Sequence, residues 1–101
     1  MTAHTTEYHL NFKAAAAKDL YKLTKKNREL GKLLVHAQIP ELMQNPLKER
    51  LKQGDLKDIR SWDFGFRDVT YRILYQVDGA TVRIYAVGAH DVAYRKAKSR
   101  K

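Results

Sequence analysis

The sequence predicts an α+β domain, with two N-terminal helices packed on one face of a mostly antiparallel four-stranded sheet and a short C-terminal segment. Three observations predict it: period-two alternation over residues 6–12, spacings of three and four from residue 13 to residue 43, and a return to period two from residue 62.

In residues 6–12, Tyr8, Leu10 and Phe12 fall on one side and Glu7, His9 and Asn11 on the other, the pattern of a half-buried strand. From Lys13 the period changes. Ala14, Ala17, Leu20, Tyr21 and Thr24 form one face of a helix, and Lys18, Asp19, Lys22, Lys25 and Lys26 cover the rest of the cylinder. Gly31 follows the last basic turn, where a left-handed glycine closes a helix. A second helix is expected with Leu33, Leu34, Ala37 and Leu42 or Met43 on its apolar side. Pro40 should kink or split it, because proline lacks an amide donor and crowds the preceding turn, and Asn45-Pro46 ends it.

Residues 48–58 are charged, contain Gly54, and read as a surface connection. Trp62, Phe64 and Phe66 then alternate with Asp63, Gly65 and Arg67, ahead of a polar bend at Asp68-Val69-Thr70. Residues 71–77 are rich in β-branched and aromatic side chains, Asp78-Gly79 is a hairpin signal, and residues 81–87 form the last strand. The helices should bury Ala and Leu against Tyr8, Leu10, Phe12 and the later strands. The opposite sheet face should stay partly open, with Arg67 and Arg72 standing out of the pleat.

Length and composition bound the function. A chain of 101 residues has room for one core, so residues 1–101 are expected to be a single domain. The absence of cysteine excludes disulfides, thiolate nucleophiles and Cys-ligated metals. Four scattered histidines lack the i, i+4 spacing that puts two ligands on one helical face, so neither metal nor any other cofactor is expected. No apolar run suits a signal peptide or membrane span, which predicts a cytoplasmic protein without a membrane partner. Twenty Lys and Arg against eleven Asp and Glu leave +9, a field that attracts phosphates or acidic partners. Five of the last seven residues are basic, a run that reads equally as a helix or a disordered end.

The segments Tyr8-x-Leu-x-Phe12, Ala17-Lys-Asp-Leu-x-x-Leu23, Asn45-Pro46, Tyr71-Arg72-Ile-x-Tyr75 and Gly88 to Tyr94, taken in order, resemble the RelE/ParE family of toxins from type II toxin–antitoxin modules. The resemblance implies a RelE-like fold and a protein that cuts mRNA in the ribosomal A site or, in the ParE branch, poisons DNA gyrase. It also implies a separate antitoxin whose acidic segment lies over the open sheet face and the first helix.

The mRNA-cutting branch works without metal. The substrate 2′-hydroxyl attacks the adjacent phosphate, so the protein supplies a proton acceptor, a cation for the phosphoryl oxygens and a proton donor for the leaving 5′-oxygen. Arg72 matches the family arginine that contacts the scissile phosphate, and its forked donors suit an oxyanion; it suits an ion pair with Asp63 or Asp68 as well. Tyr94 matches the family's C-terminal tyrosine, which stacks on or protonates substrate groups, and would equally anchor the last segment. His90 stands where many ribonuclease members carry an arginine, and imidazole exchanges a proton near neutral pH, which makes it the candidate general acid or base; with Asp91 it would otherwise cap the last turn.

Arg67 is a second phosphate candidate, with Lys57, Arg60 and Arg95 as further substrate-binding positions. The stretch Trp62-Asp63-Phe64-Gly65-Phe66 lacks the two lysines of the best-known ribosome-dependent members. Either Arg67 with Lys57 or Arg60 replaces them, or cleavage is weak or absent. A gyrase-directed toxin and a non-toxic RNA-binding relative therefore stay open beside the ribonuclease.

Overall fold

The computed structural model describes residues 7–48 and 58–100. Its elements are β1 (His9–Phe12), α1 (Ala14–Lys26), α2 (Arg28–Leu33), a π-helical turn (Leu34–Gln38), α3 (Ile39–Gln44), β2 (Arg60–Phe66), β3 (Val69–Asp78), β4 (Thr81–Ala89) and α4 (His90–Arg100). The strands lie in the order β1-β4-β3-β2. β1 runs parallel to β4, and the other two ladders are antiparallel. The α+β architecture is as expected, with helices layered on a mixed, mainly antiparallel sheet. Most of the connection expected at 48–58, Lys57 included, lies outside the described residues.

The main core joins the helical layer to one sheet face. Leu30, Leu34, Ile39 and Leu42 pack with Trp62, Phe64, Ile73, Tyr75, Val82, Ile84 and Val87. Each of Leu30, Leu34 and Leu42 is at most 2% exposed, and taking such a side chain out of water contributes roughly 1.5–3 kcal/mol. Two hydrogen bonds fix the layers: Trp62 Nε1 donates to Gln38 Oε1 at 2.9 Å, and the buried Tyr75 hydroxyl to the Pro46 carbonyl at 2.6 Å.

Several local expectations shift by a residue or a face. α1 turns Ala16 and Asp19 inward with Leu20 and Leu23, while Tyr21 is 66% exposed, so the expected apolar face is rotated. Leu10 is exposed on the short edge strand β1, and the chain here meets the core through Phe12 and through Tyr8 just before the strand. Gly31 does not end α1. Asn27 does: it is the last cap of α1 and the first of α2, its side chain accepting from Leu30 N at 3.2 Å. Gly31 lies buried within α2, where an added Cβ would fall 2.5 Å from Thr24 Oγ1, so a glycine lets α1 and α2 approach. The division expected at Pro40 is seen as a change of helix type: α2 passes through the π-helical turn into α3, with Pro40 in the first turn of α3. The residue before Pro40, Ile39, donates to Leu34 O, five residues back, and this widened turn absorbs the missing proline donor.

The β2–β3 turn is Arg67-Asp68, with φ of 49° and 64°, the two positive values that a two-residue type I′ hairpin requires. Val69 and Thr70, expected in the bend, already belong to β3. The second hairpin turns at Gly79, φ 57°, between the paired Asp78 and Thr81. At Tyr85 the register slips: Tyr75 pairs with Ile84 and Leu74 with Ala86, so Tyr85 is the extra residue of a β-bulge. The last segment is the helix α4. It covers part of the face expected to be open, where Ala93 and Ala97 pack on Ile59, Leu74, Tyr85 and Ala86.

Candidate functional site

Strand alternation carries Arg72 and Leu74 to the α4 side of the sheet and Tyr71, Ile73 and Tyr75 to the helical layer. Arg72 is 8% exposed and does not stand out of the pleat. Its Nε and Nη2 donate to Asp63 Oδ1 and Oδ2, each at 2.8 Å, a bidentate pair between residues directly opposite on β2 and β3. The fork of Arg72 is thus turned toward β2, away from β4.

Arg67 lies in the hairpin turn and not on a strand, which sends it to the other side. Its Nη2 donates to Glu29 Oε2 of α2 at 2.9 Å, and its guanidinium lies 5.1 Å from the Phe66 ring centre. The two arginines expected to share a phosphate are on opposite faces. Arg60, at the start of β2, reaches the Leu47 carbonyl at 3.4 Å and is removed from both. Arg95 is exposed on α4. Tyr94 occupies the same helix, and its side chain, like that of Asp91, lies outside what the structure describes. His90 is exposed at the first position of α4, directly after the strand end where Tyr71 pairs with Ala89 and Arg72 with Gly88. The backbone therefore brings His90 and Arg72 to one end of the β3–β4 ladder, while Arg67 and Arg60 are elsewhere.

Beside that end is an open groove of about 670 Å³ between α1 and α4. Lys22, Lys25 and Lys26 of α1 and Lys96 of α4 line it with the apolar Leu23, Tyr71, Val87 and Val92, and Gly88 and Ala89 complete it. Gly88, Ala89 and Val92 bracket His90 in the chain. Four cations around an apolar surface attract a phosphate chain and offer Tyr71, already stacked on Phe64 at 5.8 Å, as an aromatic surface.

One acidic group lies at this groove. Asp19, 4% exposed, accepts from Lys96 Nζ at 2.9 Å, from Arg100 Nη1 at 2.6 Å and Nη2 at 3.2 Å, and from the Val87 amide at 3.2 Å. Burial pushes its carboxyl up, but the hydrogen bonds from Arg100, Lys96 and Val87 and the charge of Arg100 outweigh this and hold it below the ordinary value.

A family model described as the ParE-like toxin of type II bacterial toxin–antitoxin systems matches residues 11–98. The chain belongs to that family. Among solved structures, the toxin is similar to the RelBE2 toxin–antitoxin complex of Mycobacterium tuberculosis, at 26% identity and a TM-score of 0.70 over 83% of this chain and 99% of that one. It is similar also to a doubly substituted RelE toxin of E. coli in the free state, at 28% identity and a TM-score of 0.65 over 93% and 97%. The chromosomal ParDE system of P. aeruginosa, at 16% identity and a TM-score of 0.62 over 83% and 97%, shares the fold. No curated protein sequence matches the chain. No helix among the described residues is long and apolar enough to cross a membrane.

Sequence reasoning placed the α1 lysines and Asp19 together on the polar side of the helix. The α1 lysines carried a signal, recurring at 18, 22, 25 and 26 along one side of the cylinder. Asp19 carried none, since its partners lie 68, 77 and 81 positions away.

Proposed function

We propose that this toxin is a ribosome-dependent mRNA endoribonuclease that inhibits translation in the cytoplasm and is silenced by a cognate antitoxin with an acidic segment. The observation that supports it best is the lysine-lined groove whose end residues flank His90. A likeness of 26–28% identity over most of the chain to RelBE2 and RelE structures supports the same branch.

In this reading the RNA backbone follows Lys22, Lys25, Lys26 and Lys96, and one base lies against Tyr71. The 2′-hydroxyl attacks the neighbouring phosphorus and loses its proton. The groove cations meet the charge that builds on the phosphoryl oxygens, and the bond to the 5′-oxygen breaks as that oxygen gains a proton. His90 exchanges one of these protons, and solvent water takes or gives the other. The products are a 2′,3′-cyclic phosphate and a 5′-hydroxyl. Tyr94 remains a candidate for contact with the base, and Arg95 and Lys57 for contact with flanking phosphates. Arg72, braced by Asp63, holds β2 to β3 beneath the site.

The engagement of Arg72 with Asp63 favours one second reading, a gyrase-directed toxin that binds without catalysis. Induction in cells followed by message-cleavage mapping and a DNA-damage reporter separates the two. Cleaved messages, lost on His90→Ala and reduced on joint Lys22→Ala, Lys25→Ala and Lys26→Ala substitution, support the ribonuclease. Intact messages with damaged DNA refute it in favour of gyrase.

A further inference from the structure

We propose that Asp19 is a positioning residue for the reaction at His90, fixing α4 against α1 and β4 so that its first residue and Lys96 hold their places at the groove; this rests on the ribonuclease reading. α4 has little apolar grip of its own, since the described side chains it buries in the second core are two alanines, Ala93 and Ala97. Its charge works against docking. α1 carries Lys18, Lys22, Lys25 and Lys26 with Asp19 as its single acid, and α4 carries Arg95, Lys96, Lys98 and Arg100 with Asp91 as its single acid. Two cationic helices repel across the groove, and a buried carboxylate offsets that repulsion.

Asp19 is placed for this by the sheet edge. β1 pairs with β4 only as far as Phe12 and Ile84, so the next outward-facing backbone groups of β4 have no strand beside them. Asp19 accepts from one of them, the Val87 amide, while Arg100 Nη1 donates to another, the Tyr85 carbonyl, at 3.0 Å. The carboxylate and the guanidinium therefore bridge helix, strand edge and helix in one cluster. Peptide continuity holds the His90 end of α4, and this cluster holds the other end.

The test uses the full chain on message-programmed ribosomes, with saturating cleavage rate, half-saturating ribosome concentration and amide exchange as readouts. In Asp19→Asn and in Arg100→Gln, α4 amides lose protection while β3 and β4 keep theirs. The saturating rate falls by about tenfold or more, with half-saturation changed by less than about threefold, since a misplacement of ~1 Å alone costs up to about 100-fold. Asp19→Glu restores most of the rate. An unchanged rate or unchanged α4 protection in Asp19→Asn overturns the proposal, as does a fall in rate that Asp19→Glu leaves uncorrected. If Asp19→Asn fails to fold, Arg100→Gln decides alone, because it removes a side chain that is 21% exposed and leaves the carboxylate with Lys96 and Val87. A wild-type chain that cuts no message overturns the ribonuclease reading and the positioning role with it, while α4 exchange still reports the tether separately.

Discussion

Removing Asp63 should destabilise the toxin more than neutralising Arg72, although both changes break the same ion pair. The Arg72 side chain is 10% exposed and that of Asp63 42%. In Asp63→Ala the guanidinium loses both acceptors and stays almost buried, whereas in Arg72→Met the carboxylate is left where water reaches it and the methionine stem fills the vacated space. Breaking a fully buried pair costs about 3–5 kcal/mol and an exposed one about 0–1 kcal/mol. The half-open geometry puts Asp63→Ala at roughly 2–3 kcal/mol and Arg72→Met below roughly 1 kcal/mol. Urea unfolding monitored by Trp62 fluorescence reads both. With a denaturant slope of roughly 1–2 kcal/mol/M, Asp63→Ala lowers the midpoint by roughly 1–3 M and Arg72→Met by less than half of that. Equal losses, or a larger loss in Arg72→Met, would refute the assignment of Arg72 as a buried, acid-dependent cation.

Acid stability should carry a contribution from Asp19. Its folded pKa lies below the ordinary value of 3.8, so the contribution is fully present above that value and is lost as pH falls through the folded pKa; Asp19→Asn should flatten the stability profile below pH 3.8, as followed by urea midpoints. Tyr75→Phe leaves the Pro46 carbonyl without its buried donor and should cost about 1–2 kcal/mol, read as a fall in Tm with α3 losing amide protection. Gly31→Ala forces a methyl group onto Thr24 and should cost about 1–3 kcal/mol in chemical denaturation, with the sheet left folded.

The parts of the fold legible in the sequence were those with local causes. Alternation at Trp62, Phe64 and Phe66 named one buried face, and Asp78-Gly79 marked the hairpin between β3 and β4, because each depends on neighbours two to four positions away. α4 was not legible. A helix that docks through Ala93 and Ala97 leaves almost no apolar period among its charges, and the mean composition of that segment is that of a solvated end. The Arg72–Asp63 pair was visible only as one of two alternatives, since strand register decides which carboxylate stands opposite. Arg67 was misplaced because the bend was set one residue late, and in a sheet one residue exchanges the faces. His90 could be singled out from its chemistry and position and the α1 lysines from their spacing, but not their grouping with Lys96 beside His90, which depends on two helices far apart in the chain.

The groove itself follows from a single irregularity in β4. Before the bulge, the carbonyls of Ala80 and Ile84 face β1 and accept from His9 and Lys13. The extra residue at Tyr85 reverses that parity, so the Tyr85 carbonyl and the Val87 amide face outward just where β1 has ended. An open strand edge of this kind invites pairing with another chain. Here a carboxylate from α1 and a guanidinium from α4 take its hydrogen bonds, and this draws two basic helices to either side of the same edge. Their lysines then line one cleft instead of dispersing over the surface. Lys22, Lys25, Lys26 and Lys96, offset in part by Asp19, become a directed field at Gly88 and Ala89, just before the histidine proposed to move the proton.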